Sequence, residues 1–197
     1  MVQIPGVPGR FGWIGTPVAT GLQGGVLSIS AGPGTDWFVD PGSGQVRSNA
    51  PALVATVPGD FTLSARVEVA FESTFDAGAL VLWSHEHSWA KLAFERSPQG
   101  QPMVVSVVTR GESDDCNSVG VEGGKVWLRV ASFGLAHAFH MSLDGRRWQY
   151  VRRFRLGSEE TPAVGFAVQS PLGDGCSARF LDLSYLPGTL SDLRNGT

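Results

Sequence analysis

Apolar and polar residues alternate along much of this chain. The clearest run is "DFTLSARVEVAF", where Phe61, Leu63, Ala65, Val67 and Val69 fall on one side and Thr62, Ser64, Arg66 and Glu68 on the other. A period of two is that of a β-strand with one buried face. The same pattern predicts strands near Gly25–Ser30, Asp36–Val39, Leu53–Thr56, Gly78–Ser84, Ser88–Arg96, Met103–Arg110, Lys125–Ser132, Ala136–Leu143, Trp148–Phe154, Ala163–Gln169 and Ala178–Tyr185. Turn-forming stretches separate them, "PGSG", "SPQGQP", "EGG" and "DG" among them. In "SLDGRRW" the Asp-Gly pair predicts a two-residue hairpin turn with Trp148 folded over it. Helical spacing is nearly absent. Many short strands at regular intervals predict a two-sheet sandwich or jelly roll. With no internal repeat and no charged or Ser-rich linker, residues 1–197 read as one domain, with 187–197 as a loose tail.

"WAKLAFERSP" departs from a simple core-and-solvent pattern. Ala90, Leu92 and Phe94 suit a core, while the opposite face carries Trp89, Lys91, Ala93 and Glu95. Lys91 and Glu95 lie four residues apart, about 13 Å along a strand, so each needs a partner on a neighbouring strand or a ligand. "KVWLRV" offers Trp127 and Arg129 on one face, "ALVLWSHE" offers Trp83, and "SVVTRGESDD" offers Thr109, Ser113 and Asp114 as a rim. If these strands adjoin, Trp89, Lys91, Glu95, Trp127 and Arg129 form one aromatic and charged face. Such a face suits a sugar or another polyhydroxylated molecule, anionic ones included, because rings cover apolar sugar faces and charges hold hydroxyls. Cross-strand ion pairing is the alternative reading of the same residues.

Composition narrows the partners. The 197 residues carry a net charge of −3, and the only basic cluster, Arg146 to Arg155, reads as a solvated hairpin. Nucleic acid is not expected, since phosphate binding needs clustered Lys and Arg. No apolar run reaches membrane-spanning length and the N-terminus does not resemble a secretory signal. The two cysteines, Cys116 and Cys176, are too few for a disulfide framework, so a cytoplasmic protein with free thiols is expected. Cys116 follows two aspartates, which disfavour a thiolate nucleophile. "HEH" places His85 and His87 two apart, as in cupin metal sites, but the rest of that ligand set is not recognisable. No metal and no cofactor is expected: no phosphate-cradling loop, dinucleotide fingerprint or Ser-His-Asp order stands out.

The ordered set "FDAGALVLWSHEHSWAKLAFE", "SVVTRGESDD", "VWLRV", "SLDGRRW", "VGFAVQSP" and "CSARFLDL" resembles the regulation-of-enolase-like family of the concanavalin A-like lectin and glucanase superfamily, from about Thr35 to Leu186. The resemblance implies an all-β jelly-roll sandwich of two antiparallel sheets with one concave face. Superfamily relatives bind or cleave glycans, which is analogy at the level of the fold. The glucanase relatives carry E-x-D-x-x-E on one strand; "WAKLAFE" has a single carboxylate. Hydrolysis with retention needs a second carboxyl about 5 Å away, for which Asp76, Glu86, Asp114 and Asp115 are the candidates.

Three functions follow as expectations. The first is binding of a carbohydrate or polar metabolite on the face of Trp89, Lys91, Glu95, Trp127 and Arg129. The second is an enzyme on that face, with Glu95 as acid or base and Lys91 or Arg129 stabilising negative charge. The third is a regulatory protein partner of a metabolic enzyme.

Overall fold

The computed structural model describes residues 1–157 and 161–197. Among them are no helices and sixteen strands: β1 (Gly12–Ile14), β2 (Ala19–Gln23), β3 (Val26–Ala31), β4 (Trp37–Val39), β5 (Val46–Ser48), β6 (Ala52–Ala55), β7 (Phe61–Ala70) and β8 (Ala77–His85), followed by β9 to β16. The second half comprises β9 (Ser88–Arg96), β10 (Pro102–Arg110), β11 (Glu112–Gly120), β12 (Lys125–Phe133), β13 (Ala136–Ser142), β14 (Gln149–Phe154), β15 (Ala163–Gln169) and β16 (Cys176–Pro187). Two seven-stranded antiparallel sheets form a sandwich, the first ordered β1-β6-β15-β8-β9-β10-β11 and the second β14-β13-β12-β7-β16-β3-β2. The core between them takes the apolar face of each alternating strand: Phe61, Leu63, Ala65 and Val67 from β7, Ala90, Leu92 and Phe94 from β9, and Val126, Leu128 and Val130 from β12.

The strands that alternation does not predict lie at or near the margins. β11, "ESDDCNSVG", is mostly exposed and pairs with β10 alone. Its charges suit an edge, where they discourage pairing with another chain. β1 and β2 close the other ends of the sheets, and β5 pairs only with β4. "SLDGRRW" is not a two-residue turn. β13 ends at Ser142 and β14 starts at Gln149, so a six-residue loop joins them. Asp144 organises that loop by accepting the backbone amides of Arg146 and Arg147, both at 2.8 Å. The loop backbone at Gly145 lies against Trp127, whose ring a Cβ there would meet at 2.9 Å. The lid over the Asp-Gly turn is therefore Trp127, and Trp148 stacks instead on Arg129, 3.7 Å from the guanidinium to the ring centroid.

β4 and β5 form a separate hairpin across the outer face of the first sheet. Alanines at 52, 77, 79, 93 and 167 keep that face low. Trp37 settles on Trp89, ring centroids 5.5 Å apart, in a second, smaller apolar cluster. On the far side of the sandwich, the segment after Pro187 folds back over the second sheet. The Arg129 guanidinium donates to the Gly196 carbonyl at 2.6 Å, and His140 Nε2 lies 2.8 Å from the Leu193 carbonyl.

Gly78 sets how closely the sheets approach. A Cβ there would lie 2.8 Å from Ala178 Cβ and 3.0 Å from Val67 Cγ1. Gly78→Leu is expected to destabilise the fold by about 1–3 kcal/mol or more through overpacking, read as a lower midpoint in urea unfolding.

Candidate functional site

On β9, Lys91 and Glu95 point away from the core. Pairing places Lys91 between Val81 of β8 and Val107 of β10, and Glu95 between Ala77 and Met103. Both polar side chains are nonetheless buried, because β4 and the residue before it pass over them. Lys91, 3% exposed, donates from Nζ to the Trp37 carbonyl at 2.7 Å, to Gln169 Oε1 at 2.7 Å and to Asp36 Oδ1 at 3.2 Å. An ammonium has three donors, and all three are used. A second tie is made at β11: Thr109 Oγ1 and Ser113 Oγ lie 2.8 Å apart, and the Val39 amide donates to Ser113 Oγ at 2.9 Å.

Beside this clamp lies a cavity of about 220 Å³. Its apolar lining comes from Val105 and Val107 of β10 and from Phe38 and Phe75; its carboxyls are Glu95, Asp115 and Asp36. Asp115 is exposed, whereas Glu95 is 9% exposed and its carboxyl has no hydrogen-bond partner among the described residues. Burial pushes the Glu95 carboxyl up to about 7; Lys91 draws it back down, and the Asp36 and Asp115 carboxylates raise it further. Phe75 holds a left-handed backbone, φ 67°, a conformation that a bulky residue rarely adopts. Its amide donates to the Arg96 carbonyl at 2.8 Å and its carbonyl accepts from Gln169 Nε2 at 3.1 Å. Asp76 fixes the preceding loop, accepting the amides of Glu72 at 3.0 Å and Ser73 at 2.8 Å and the Ser170 hydroxyl at 2.7 Å. Beyond Phe38 and Phe75 a further hollow of about 220 Å³ runs to Asp40, Arg47 and Leu172.

The expected cluster is only partly assembled. Lys91 and Glu95 share the cavity. Trp89 is 2% exposed beneath Trp37, so it packs and presents no ring to solvent. Trp83 lies opposite Trp89 in the register and joins the same apolar cluster, partly buried. Trp127 and Arg129 do face away from the core, but β12 pairs with β7 and β13 in the second sheet. They therefore lie on the opposite side of the sandwich from Glu95. Burial lowers Arg129 to about 10, and its partners are Trp148 and Gly196. Thr109 and Ser113 are buried anchors of β4 rather than a rim. Asp114 points to the other side of β11, where it pairs with Arg152 at 2.6 Å. Strand alternation carried the usable signal: Asp115, two residues from Ser113, shares its face. Asp36 and Gln169 reach the site from distant segments with no local mark of it. Of the other carboxylates considered beside Glu95, Asp76 holds its own loop and Glu86 lies in an exposed turn near His87. His85 and His87 have ring centroids 6.5 Å apart, and among the described residues no three His, Cys, Asp or Glu side chains are grouped to hold a metal ion. Cys116 and Cys176 are unpaired.

These features define an antiparallel jelly-roll sandwich with a covered outer face. The chain belongs to the family described as Protein of unknown function (DUF1349), whose model matches residues 13–187. It is 26% identical over 175 residues to Regulation of enolase protein 1 of Saccharomyces cerevisiae, covering 87% of each chain. A solved structure described as a functionally unknown protein from Saccharomyces cerevisiae superposes with a TM-score of 0.84 at 24% identity, over 91% of this chain and 97% of that one. More distant likenesses, which show the fold alone, include the GH43 protein BlXynB of Bacillus licheniformis, with a TM-score of 0.66, 15% identity and coverage of 84% and 34%. The alginate lyase of Klebsiella pneumoniae gives 0.54, 15%, 86% and 84% in the same order. No helix among the described residues is long and apolar enough to cross a membrane.

Two outcomes follow from the burial. Lys91→Ala leaves Asp36 without its cation and frees Trp37, so a loss of about 3–5 kcal/mol is expected, measured by chemical unfolding. Glu95 behaves oppositely. Its folded value of about 7 lies above its ordinary 4.5, so the native state binds the proton more tightly. Its stabilisation is complete below about 4.5 and is lost as pH rises through about 7. Glu95→Gln is expected to flatten this fall and to be the more stable protein at pH 8, by on the order of 3 kcal/mol. Parallel pH profiles for the two proteins would contradict this account.

Proposed function

We propose that this protein binds a small, polar, hydroxyl-bearing metabolite inside the cell, in the cavity between β9, β10 and the β4 segment. The observation that carries the reading is Glu95, buried, without a partner among the described residues and facing a cavity of about 220 Å³. Burial disfavours the charged form of that carboxyl, and a donor on a ligand would offset that cost. Drug-sized ligands use pockets of about 300–1,000 Å³; this smaller cavity suits a monosaccharide-sized molecule rather than a polymer. Likeness in fold to carbohydrate-active proteins agrees with this class of ligand.

Two further readings each have an observation behind them. A carboxyl near 7 is matched to general acid–base chemistry at neutral pH, so Glu95 could act on a bound molecule, with Asp115 as the second carboxyl of the cavity. The name of the yeast relative favours a regulator of a metabolic enzyme, for which a bound metabolite would supply the signal.

The test uses thermal stability against a panel of sugars, polyols and phosphorylated metabolites. A ligand that binds only the native state raises stability by about 2.7 kcal/mol at a hundredfold excess over Kd. Val107→Phe fills the cavity without altering a polar group, so it is expected to abolish the shift. Undiminished binding in Val107→Phe would move the site elsewhere. Binding retained with turnover lost in Glu95→Gln would mark the enzyme.

A further inference from the structure

Several other features could be asked for a function. The His85–His87 pair lacks a third ligand among the described residues. The docked C-terminal segment covers Arg129 and His140 with backbone carbonyls, and the hollow beside it, lined by Phe133, Arg153 and Leu193, has no buried unpartnered side-chain atom among the described residues. The cavity beside Glu95 carries an inference further, because its donors and acceptors are unequal.

Among the described residues Lys91 is the one cation lining it, and its three donors are already taken by Asp36, Trp37 and Gln169. Gln169 is engaged at both ends, accepting from Lys91 and donating to Phe75. What remains for a ligand is one N–H of the Gln169 amide against the oxygens of three carboxyls. Glu95 is nine-tenths buried, unpartnered among the described residues and aimed into the space. Asp115 stands at the exposed side, and Asp36 engages Lys91 through only one oxygen. Three carboxyls thus face one ammonium that is already satisfied.

We propose that the ligand of this cavity carries an ammonium group, held by Glu95 and drawn by the negative charge of Asp115 at the exposed side, with its carbon skeleton against Phe38 and Phe75. This rests on the reading of the cavity as a ligand site and narrows it to amino sugars, amino polyols or similar small amines. Anionic metabolites are disfavoured, because the one cation lining the space among the described residues, Lys91, is already paired and the carboxyls repel them. The ammonium supplies both what Glu95 lacks, a donor and a positive charge, and a charge-assisted hydrogen bond is stronger than a neutral one.

Three six-carbon probes differ only at one end: glucamine (ammonium), sorbitol (hydroxyl) and gluconate (carboxylate). Calorimetric titration of the full chain at pH 8 is expected to show glucamine binding about tenfold more tightly than sorbitol, the margin of a charge-assisted over a neutral hydrogen bond, with gluconate weakest. Glu95→Gln and Asp115→Asn are each expected to reduce that preference. Asp115 is exposed, so its variant keeps the fold intact. A second readout is pH. The charged groups around Glu95 are Lys91 on its own strand, Asp36 before β4 and Asp115 on β11, while its strand neighbours Ala77 and Met103 are uncharged. Glucamine stays cationic to well above pH 8, so its affinity is expected to rise severalfold between pH 6 and pH 8 as Glu95 ionises. Sorbitol or gluconate binding as tightly as glucamine, with loss in Val107→Phe, overturns the ammonium inference and leaves the cavity reading standing. No binding of glucamine overturns the inference as well, and if the wider panel also fails, the cavity reading falls with it.

Discussion

The ammonium of Lys91 holds the outer face of this sandwich together. It lies in the middle of a sheet, on the side away from the core, where a lysine would ordinarily extend into water. Instead it takes three acceptors from separate places: a carboxylate before β4, a backbone carbonyl in β4 and an amide on β15. That arrangement is favourable only because every donor is used. A buried ammonium with one acceptor would not recover its desolvation. Trp37 on Trp89 and Val39 on Ser113 add to the same closure. The alanines of β8, β9 and β15 make it possible sterically, since larger side chains would hold the hairpin off.

Glu95 follows from that closure. Four residues along the strand, it is covered by the same segment but receives no partner from it. The clamp creates the cavity and leaves a carboxyl inside it, with two other carboxyls nearby. A carboxyl that burial raises to about 7 is a local cost to the fold once it ionises, and such costs concentrate at sites of function. The left-handed Phe75 at the cavity wall, fixed on both sides by hydrogen bonds, is a second local cost in the same place.

The opposite side of the sandwich shows how similar residues serve packing. Trp127 and Arg129 form an aromatic and cationic surface with Trp148, but a loop and the returning C-terminal segment occupy it. Arg129 has a stacked ring and a carbonyl partner, and the Trp127 ring abuts the loop backbone at Gly145. Aromatic and charged composition alone does not separate a binding face from a docked segment. What separates them is open space beside the polar atoms: a cavity adjoins Glu95, whereas backbone covers Arg129 and Trp127.

Strand alternation, a property of neighbouring residues, is legible from the sequence. It places Leu92 and Phe94 in the core and Lys91 and Glu95 on the other face, and it correctly turns Trp127 and Arg129 outward from β12. The all-β sandwich and the family resemblance follow from the same local patterns and their order. Alternation also puts Asp115 and Asp114 on opposite faces of β11, a distinction that adjacent positions in a strand carry by themselves. Tertiary structure decided which strands are neighbours, and so that Trp127 and Arg129 lie on the far sheet from Glu95. It also brought Asp36 and Gln169 to Lys91 across 55 and 78 residues. A period of two fixes which way a side chain points within its strand. It contains nothing about which distant strand hydrogen-bonds beside it, because that choice is made by the collective packing of both sheets.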